Sequence, residues 1–242
     1  MLKFSGDLKT GEFMQSIKLK IKKHPFDYWL SKNSYYHLFN AAFYKFIIPK
    51  NSKVLHIGCR NGYLLNALGV SSGVGIEFDE QYLLEARERH SNFNFYQDLS
   101  SLDLENQKFD YVIVSNTIME TDDIQIFFEQ IKKFCNPNTR LVIDWYSTFW
   151  EPILNITQRL GLRRPTLIKN WVSCYDVSNF LYLAGFDIVT SGKQILFPKY
   201  IPVLSWLLNN VLALIPGLRS LCLENWVIAR PIFKSGEHFI PS

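Results

Sequence analysis

The sequence predicts an α/β chain: seven strands in a mainly parallel sheet, helices on both faces, a helical cap before the sheet and helical insertions late in the chain. Three observations carry this. From Lys53 onward, short apolar runs alternate with helix-length stretches, and such alternation implies parallel strands joined by right-handed crossovers. One run, FDYVIV at 109–114, is apolar nearly throughout, as a strand covered on both faces requires. Hydrophobic residues make up 48% of the 242, and aromatics 15%, enough to bury a sizeable core and to argue against disorder.

Residues 1–50 read as a helical, aromatic and basic cap, in which Pro49 closes the helix containing Tyr35 and Ile48. A strand at 54–57 ends in a glycine turn, and a helix around 63–68 leads to a strand at 73–77. A helix over 80–90 and a strand at 93–96 follow. Beyond the strand at 109–114, a helix near 124–134 runs to a turn at Pro137-Asn138 and a strand at 140–144. An insertion delays the pattern until a helix at 177–184, stopped by Gly185, and a strand at 186–189. The last strand, 226–229, is expected to run antiparallel and completes the seven.

The net charge of +4 hides an asymmetry. Residues 1–151 carry 17 Lys/Arg against 18 Asp/Glu, and residues 152–242 carry 9 against 4. Either the second part has a solvated basic face, or it meets a phosphate-bearing substrate or an anionic membrane. Cys59, Cys135, Cys174 and Cys222 are far apart with no CxxC pair, so they read as reduced core thiols, and no metal site is expected. The N-terminus carries Lys18, Lys20, Lys22 and Lys23 without the apolar core of a signal peptide. Residues 203–223 approach spanning length but are broken by Asn209, Asn210, Pro216, Gly217 and Arg219. The expected location is the cytoplasm, with peripheral contact at the inner face of the membrane through 198–223 left open.

Four motifs carry chemistry. In VLHIGCRNGY a buried strand ends at Gly58 and Gly62, whose missing side chains let a ligand lie against the backbone. A nicotinamide-binding GxGxxG needs glycines at 58, 60 and 63; Arg60 and Tyr63 stand there instead, which argues against a dehydrogenase. Glu77, at the end of the second strand, can accept from both hydroxyls of a ribose, or can cap the next helix, as Asp79 equally can. Asp98, past the third strand, can accept from the amine of an adenine sandwiched by Phe78 and Leu99, or can cap a short turn. Ser115-Asn116 closes the fourth strand, where ligands of such sheets bind.

The runs VLHIGCRNGYLL, GVGIEFDEQYLLEAR, FYQDLSSLD and FDYVIVSN resemble the class I S-adenosylmethionine-dependent methyltransferases, over about residues 35–230. More narrowly, Trp150-Glu151-Pro152, Asn170-Trp171-Val172-Ser173 and the tail from Ile201 resemble bacterial methyltransferases associated with glycosyltransferases in polysaccharide and lipid-glycan clusters. The resemblance implies a Rossmann-like fold in one methyltransferase domain over 1–242: cap to 50, cofactor-binding core 51–149, acceptor-side insertions and last strands 150–242. It also implies S-adenosyl-L-methionine held by His56, Gly58, Arg60, Gly62, Glu77, Phe78, Asp98, Leu99 and Asn116. The family usually carries an acid where His56 stands and glycine where Arg60 stands; Arg60 costs about 1–2 kcal/mol if its backbone is left-handed.

His37, beside Tyr35 and Tyr36, can sit over the active site as a general base, or can be structural. His37 and Tyr36 are the candidate catalytic residues. Asp144-Trp145-Tyr146 either contact the acceptor or simply end the fifth strand. The apolar stripe over 203–215 fits core packing, a lid or an in-plane membrane contact. The implied activity is methylation of an oxygen on a glycan or lipid-linked intermediate, without a nucleic-acid partner. A small-molecule O-, N- or C-methyltransferase and a degenerate cofactor-fold binding protein are the alternatives.

Overall fold

The computed structural model describes residues 26–101 and 107–233, so the expected helical reading of residues 1–25 lies outside the described residues. Among the described residues, two helices, α1 (Phe26–Lys32) and α2 (Ser34–Ile47), precede the sheet. Ile48 is extended ahead of Pro49, the conformation that a residue before proline favours. Then come β1 (Lys53–Ile57), α3 (Tyr63–Leu68), β2 (Ser72–Ile76), α4 (Glu80–Arg89) and β3 (Asn94–Tyr96). The chain continues through β4 (Phe109–Ser115), α5 (Ile124–Lys132), β5 (Cys135–Tyr146), α6 (Glu151–Arg159), α7 (Cys174–Leu183) and β6 (Phe186–Gln194). It closes with α8 (Leu204–Asn210), α9 (Pro216–Arg219) and β7 (Glu224–Pro231).

All seven strands join one sheet in the order β3-β2-β1-β4-β5-β7-β6. Pairing is parallel from β3 to β5, and β7 runs antiparallel to both β5 and β6. Because side chains alternate across a strand, the sheet feeds two cores. On one face Leu55, Val112 and Ile143 pack with Phe128 of α5 and Leu181 of α7. On the other, Val54, Ile113 and Val142 pack with Tyr44 of α2 and Leu65 of α3.

Three details differ from the sequence reading. Pro137-Asn138 is not a turn ahead of β5 but a bulge within it. Pairing with β4 jumps from Phe109–Cys135 to Tyr111–Arg140, while Thr139 Oγ1 accepts from the Asn136 amide at 2.7 Å. A proline fits where the ladder is already interrupted. Helix α7 begins at Cys174 because Ser173 and Asp176 form a capping box, and this leaves Cys174 exposed where a core thiol was expected. β6 and β7 also extend further than their apolar runs, and pair with each other from Phe186–Pro231 to Gln194–Glu224.

Candidate active site

The ends of β1, β4 and β5 and the first residue of β7 meet α1 and α2 around two adjoining cavities, of about 70 and 210 Å³. Phe26, Tyr36, His37, Asn116, Tyr146 and Arg164 line both and mark the junction. Of the residues expected at the site, Tyr36, His37, His56, Gly58, Arg60 and Asn116 are together in the smaller cavity. Gly62, Glu77, Phe78, Asp98 and Leu99 are not among its walls.

The turn after β1 is held by packing. Gly58 and Gly62 both have positive φ, 71° and 77°. A Cβ on Gly58 would stand 2.0 Å from Thr117 Oγ1, and one on Gly62 2.8 Å from the Phe95 ring. The space their missing side chains leave is thus taken by neighbouring protein. Arg60, between them, is left-handed at φ 53°. Its amide donates to Glu77 Oε2 at 2.7 Å, its guanidinium lies 3.6 Å from Glu77 Oε1, and Nη2 meets Glu120 at 2.6 Å. Burial pulls the Arg60 pKa down, but Glu120 and Glu77 more than offset this and hold it above its ordinary value. Arg164 shares Glu120 at 3.3 Å.

Glu77 is fully buried, with the Arg60 guanidinium beside it, and also accepts from the Asp79 amide at 2.9 Å. Asp79 takes the capping role, accepting from the Gln81 and Tyr82 amides at the start of α4. Asp98 caps a short turn through Ser100, whose amide and hydroxyl hydrogen bonds hold its carboxyl below the usual range. Phe78 is exposed, and Leu99 packs half-buried against the core.

His56 is buried with neither ring nitrogen hydrogen-bonded among the described residues. Burial, with the Arg60 charge, pushes its pKa down to about 3, so the ring is neutral. His37 is pushed down to about 4 by burial and by Arg164, and its Nδ1 lies 3.2 Å from the Tyr63 hydroxyl.

The junction is backed by a pair of buried acids. Asp144, at the end of β5, accepts from the Tyr44 and Ser115 hydroxyls and from the Asn116 amide at 3.0 Å. Glu224, the first residue of β7, accepts from the Tyr36 hydroxyl, from Gln194 at 3.0 Å and from Asn40 at 3.3 Å. Burial lifts both carboxyls well above their ordinary range, and the Asp144 charge lifts Glu224 further. Burial and Glu224 together raise Tyr36. Asn116 completes the group from a left-handed backbone at φ 54°, its amide donating to Tyr36 at 3.0 Å. Strained backbone held by its surroundings concentrates at functional sites. Sequence reasoning named Tyr36 and Asn116, which the structure brings together here, and did not name Glu224 beside them. The available signal was an acid opening an apolar strand in a region where only Asp176 and Asp187 precede it after Glu151.

The larger cavity is mostly apolar, with Met119, Tyr146, Trp150, Ile153, Leu154 and Leu223 among its walls. Both late insertions contribute, through Trp150 to Ile168 and through Pro198 and Lys199.

A family model described as a methyltransferase domain matches residues 48–171. Among curated proteins no sequence matches the chain. The fold is similar to that of a solved S-adenosylmethionine-dependent methyltransferase from Thermotoga maritima, a possible histamine N-methyltransferase. Identity is 14%, with 85% of this chain and 93% of that one covered and a TM-score of 0.63. It is also similar to a putative methyltransferase of Haloferax volcanii solved with the Trm112 activator, at 14% identity, 88% and 98% coverage and a TM-score of 0.61. A methyltransferase from Mesorhizobium loti aligns at 16% identity, 76% and 93% coverage and a TM-score of 0.54. At these identities the likeness establishes a shared fold.

Proposed function

Since the chain belongs to the methyltransferase-domain family and is an S-adenosylmethionine-dependent enzyme on a Rossmann-like fold, we propose that it methylates a hydroxyl oxygen on an acceptor with a large apolar body, such as a lipid-linked glycan intermediate. The observation that carries this is the junction: Tyr36, hydrogen-bonded to Glu224, stands where a smaller, more polar cavity meets a larger, more apolar one.

The small cavity fits the amino-acid end of the cofactor. A neutral imidazole offers one donor and one acceptor, and both His56 nitrogens are buried there with no partner among the described residues. An α-carboxylate and an α-ammonium are the matching acceptor and donor. Asn116 Oδ1, buried and likewise unpartnered among the described residues, offers a second acceptor. Glu77, Phe78, Asp98 and Leu99 would hold the adenosine once the Arg60 guanidinium, already anchored on Glu120, moves off Glu77. When bound, the cofactor supplies a methyl group on a positively charged sulfur, open to direct displacement.

The chain supplies position and a path for the proton. The apolar walls exclude water and orient the acceptor against Tyr36. The acceptor hydroxyl gives its proton to the Tyr36 oxygen as the Tyr36 proton passes to the Glu224 carboxylate. This requires Glu224 to be ionised, so turnover should rise with pH through the range to which burial has lifted that carboxyl. His37, neutral and already facing Tyr63, helps to shape the wall.

The test is transfer from radiolabelled S-adenosylmethionine to a total lipid extract. Label should enter the organic phase and survive mild alkali, as an ether does. Tyr36→Phe should lower the rate by about 10²-fold or more while leaving cofactor affinity unchanged. Label confined to the aqueous phase, or a fully active Tyr36→Phe, would overturn the assignment.

A further inference from the structure

We propose that the larger cavity is also an oxyanion site: Arg163 binds a phosphate or carboxylate carried by the acceptor, next to the hydroxyl that is methylated. This rests on the apolar-acceptor reading above and narrows it.

The other cations near the junction are engaged. Arg60 and Arg164 divide Glu120 between them, and Lys199 donates to the Lys32 carbonyl and to Asn33 Oδ1. Arg163 differs. Its guanidinium lies over the Tyr146 ring, 5.1 Å from the centroid, and lines the cavity. It forms no ion pair among the described residues, and its Nη1 is buried without a hydrogen-bond partner. A buried charged donor left unpaired is costly, and a site that keeps one is built for a group that arrives with the ligand. A guanidinium stacked on a ring presents its edge as a planar fork, and the groups matching that fork are carboxylate and phosphate.

Charge balance points the same way. Among the described residues Glu120 is the one acid of the cavity's walls, against Arg163, Arg164 and Lys199, and it already serves two arginines. Placement then ties the anion to the chemistry. The Tyr146 hydroxyl is 3.4 Å from that of Tyr36, so a single tyrosine connects the oxyanion fork to the proton path. An acceptor with its anion at Arg163 and its chain along Ile153, Leu154 and Leu162 brings a hydroxyl near the anion to Tyr36.

Three probes with one tail separate the contributions: dodecyl phosphate, dodecanoate and dodecanol, titrated below their aggregation limits against the full chain by calorimetry. Native protein should bind at least one of the two anions tenfold or more tighter than the alcohol, and the stronger of them identifies the oxyanion. Arg163→Gln should erase that margin while keeping the dodecanol affinity, which also reports that the variant is folded. Arg163→Lys, which keeps charge but not the fork, should retain part of the margin. Equal binding of all three by native protein, or a margin that survives Arg163→Gln, would overturn the oxyanion site while leaving the apolar acceptor standing. Failure of all three to bind would remove both.

Discussion

Arg60 combines two opposing contributions to stability. Its left-handed backbone costs about 1–2 kcal/mol relative to glycine. Its side chain neutralises Glu77 and Glu120, and removing one partner of such a buried network costs about 3–5 kcal/mol. Arg164 remains to hold Glu120, and two backbone amides remain on Glu77, which favours the lower figure. Arg60→Gly should therefore lose about 2 kcal/mol of unfolding free energy in urea while its cofactor affinity holds or rises, since the guanidinium beside Glu77 is then gone. A variant more stable than the parent would show that strain dominates. His56 gives a pH-dependent counterpart. Its folded pKa of about 3 lies below the unfolded value of about 6.5, so the unfolded chain takes up the proton first. Its contribution is complete above pH 6.5 and is lost as pH falls. Between pH 7 and 5, native protein should lose about 2 kcal/mol that His56→Gln does not lose. Matching losses in the two proteins would mean that the ring charges freely. The sequence indicated which residue types stand at these positions; it did not indicate that Arg60 reaches Glu120, because that contact depends on side-chain directions in three elements distant in sequence.

Elements were readable where their signals are local. The helix Tyr63–Leu68 has the expected bounds, and α4 begins one residue after Asp79, whose side chain accepts the first free amides. Asp79→Ala should cost about 1 kcal/mol in thermal or urea unfolding, as loss of an N-cap does. A cost near zero would mean that Glu77, which already receives the Asp79 amide, organises the helix start instead. The bulge at Asn136–Thr139 was hidden because its residues carry ordinary turn chemistry, and only the pairing of β4 with β5 on both sides of them makes it part of a strand. The lengths of β6 and β7 were hidden for a related reason. Their outer residues are polar, and they remain in register because each supplies the other with backbone partners.

For the molecule as a whole, charge and apolar surface fall on the late part of the chain. The stripe over 203–215 is not core: Val203 is 80% exposed and Leu214 71%, with Trp206 also outside. Among the described residues no helix is long and apolar enough to cross a membrane; contact in the plane of a bilayer is the proposal that such a surface invites. Lys193, Lys199 and Arg219 flank it, with no acid between Asp187 and Glu224. Pro198 and Lys199 also line the larger cavity, which would bring the cavity beside the lipid. Flotation should recover the protein with anionic vesicles and lose it when Val203 and Leu214 are both changed to Asp; equal recovery with neutral and anionic lipid would argue against this orientation. The sheet order has a separate consequence in time. β7 is the last strand among the described residues, yet it lies between β5 and β6 and delivers Glu224 to the junction. While the protein is being translated, β6 must wait for β7, its neighbour in the sheet, and the residues around the cofactor cradle emerge from the ribosome well before Glu224 does. On the role proposed for Glu224, a nascent chain should be able to take up its methyl donor before it can use it, and methyl transfer should begin only once β7 has slotted into the sheet.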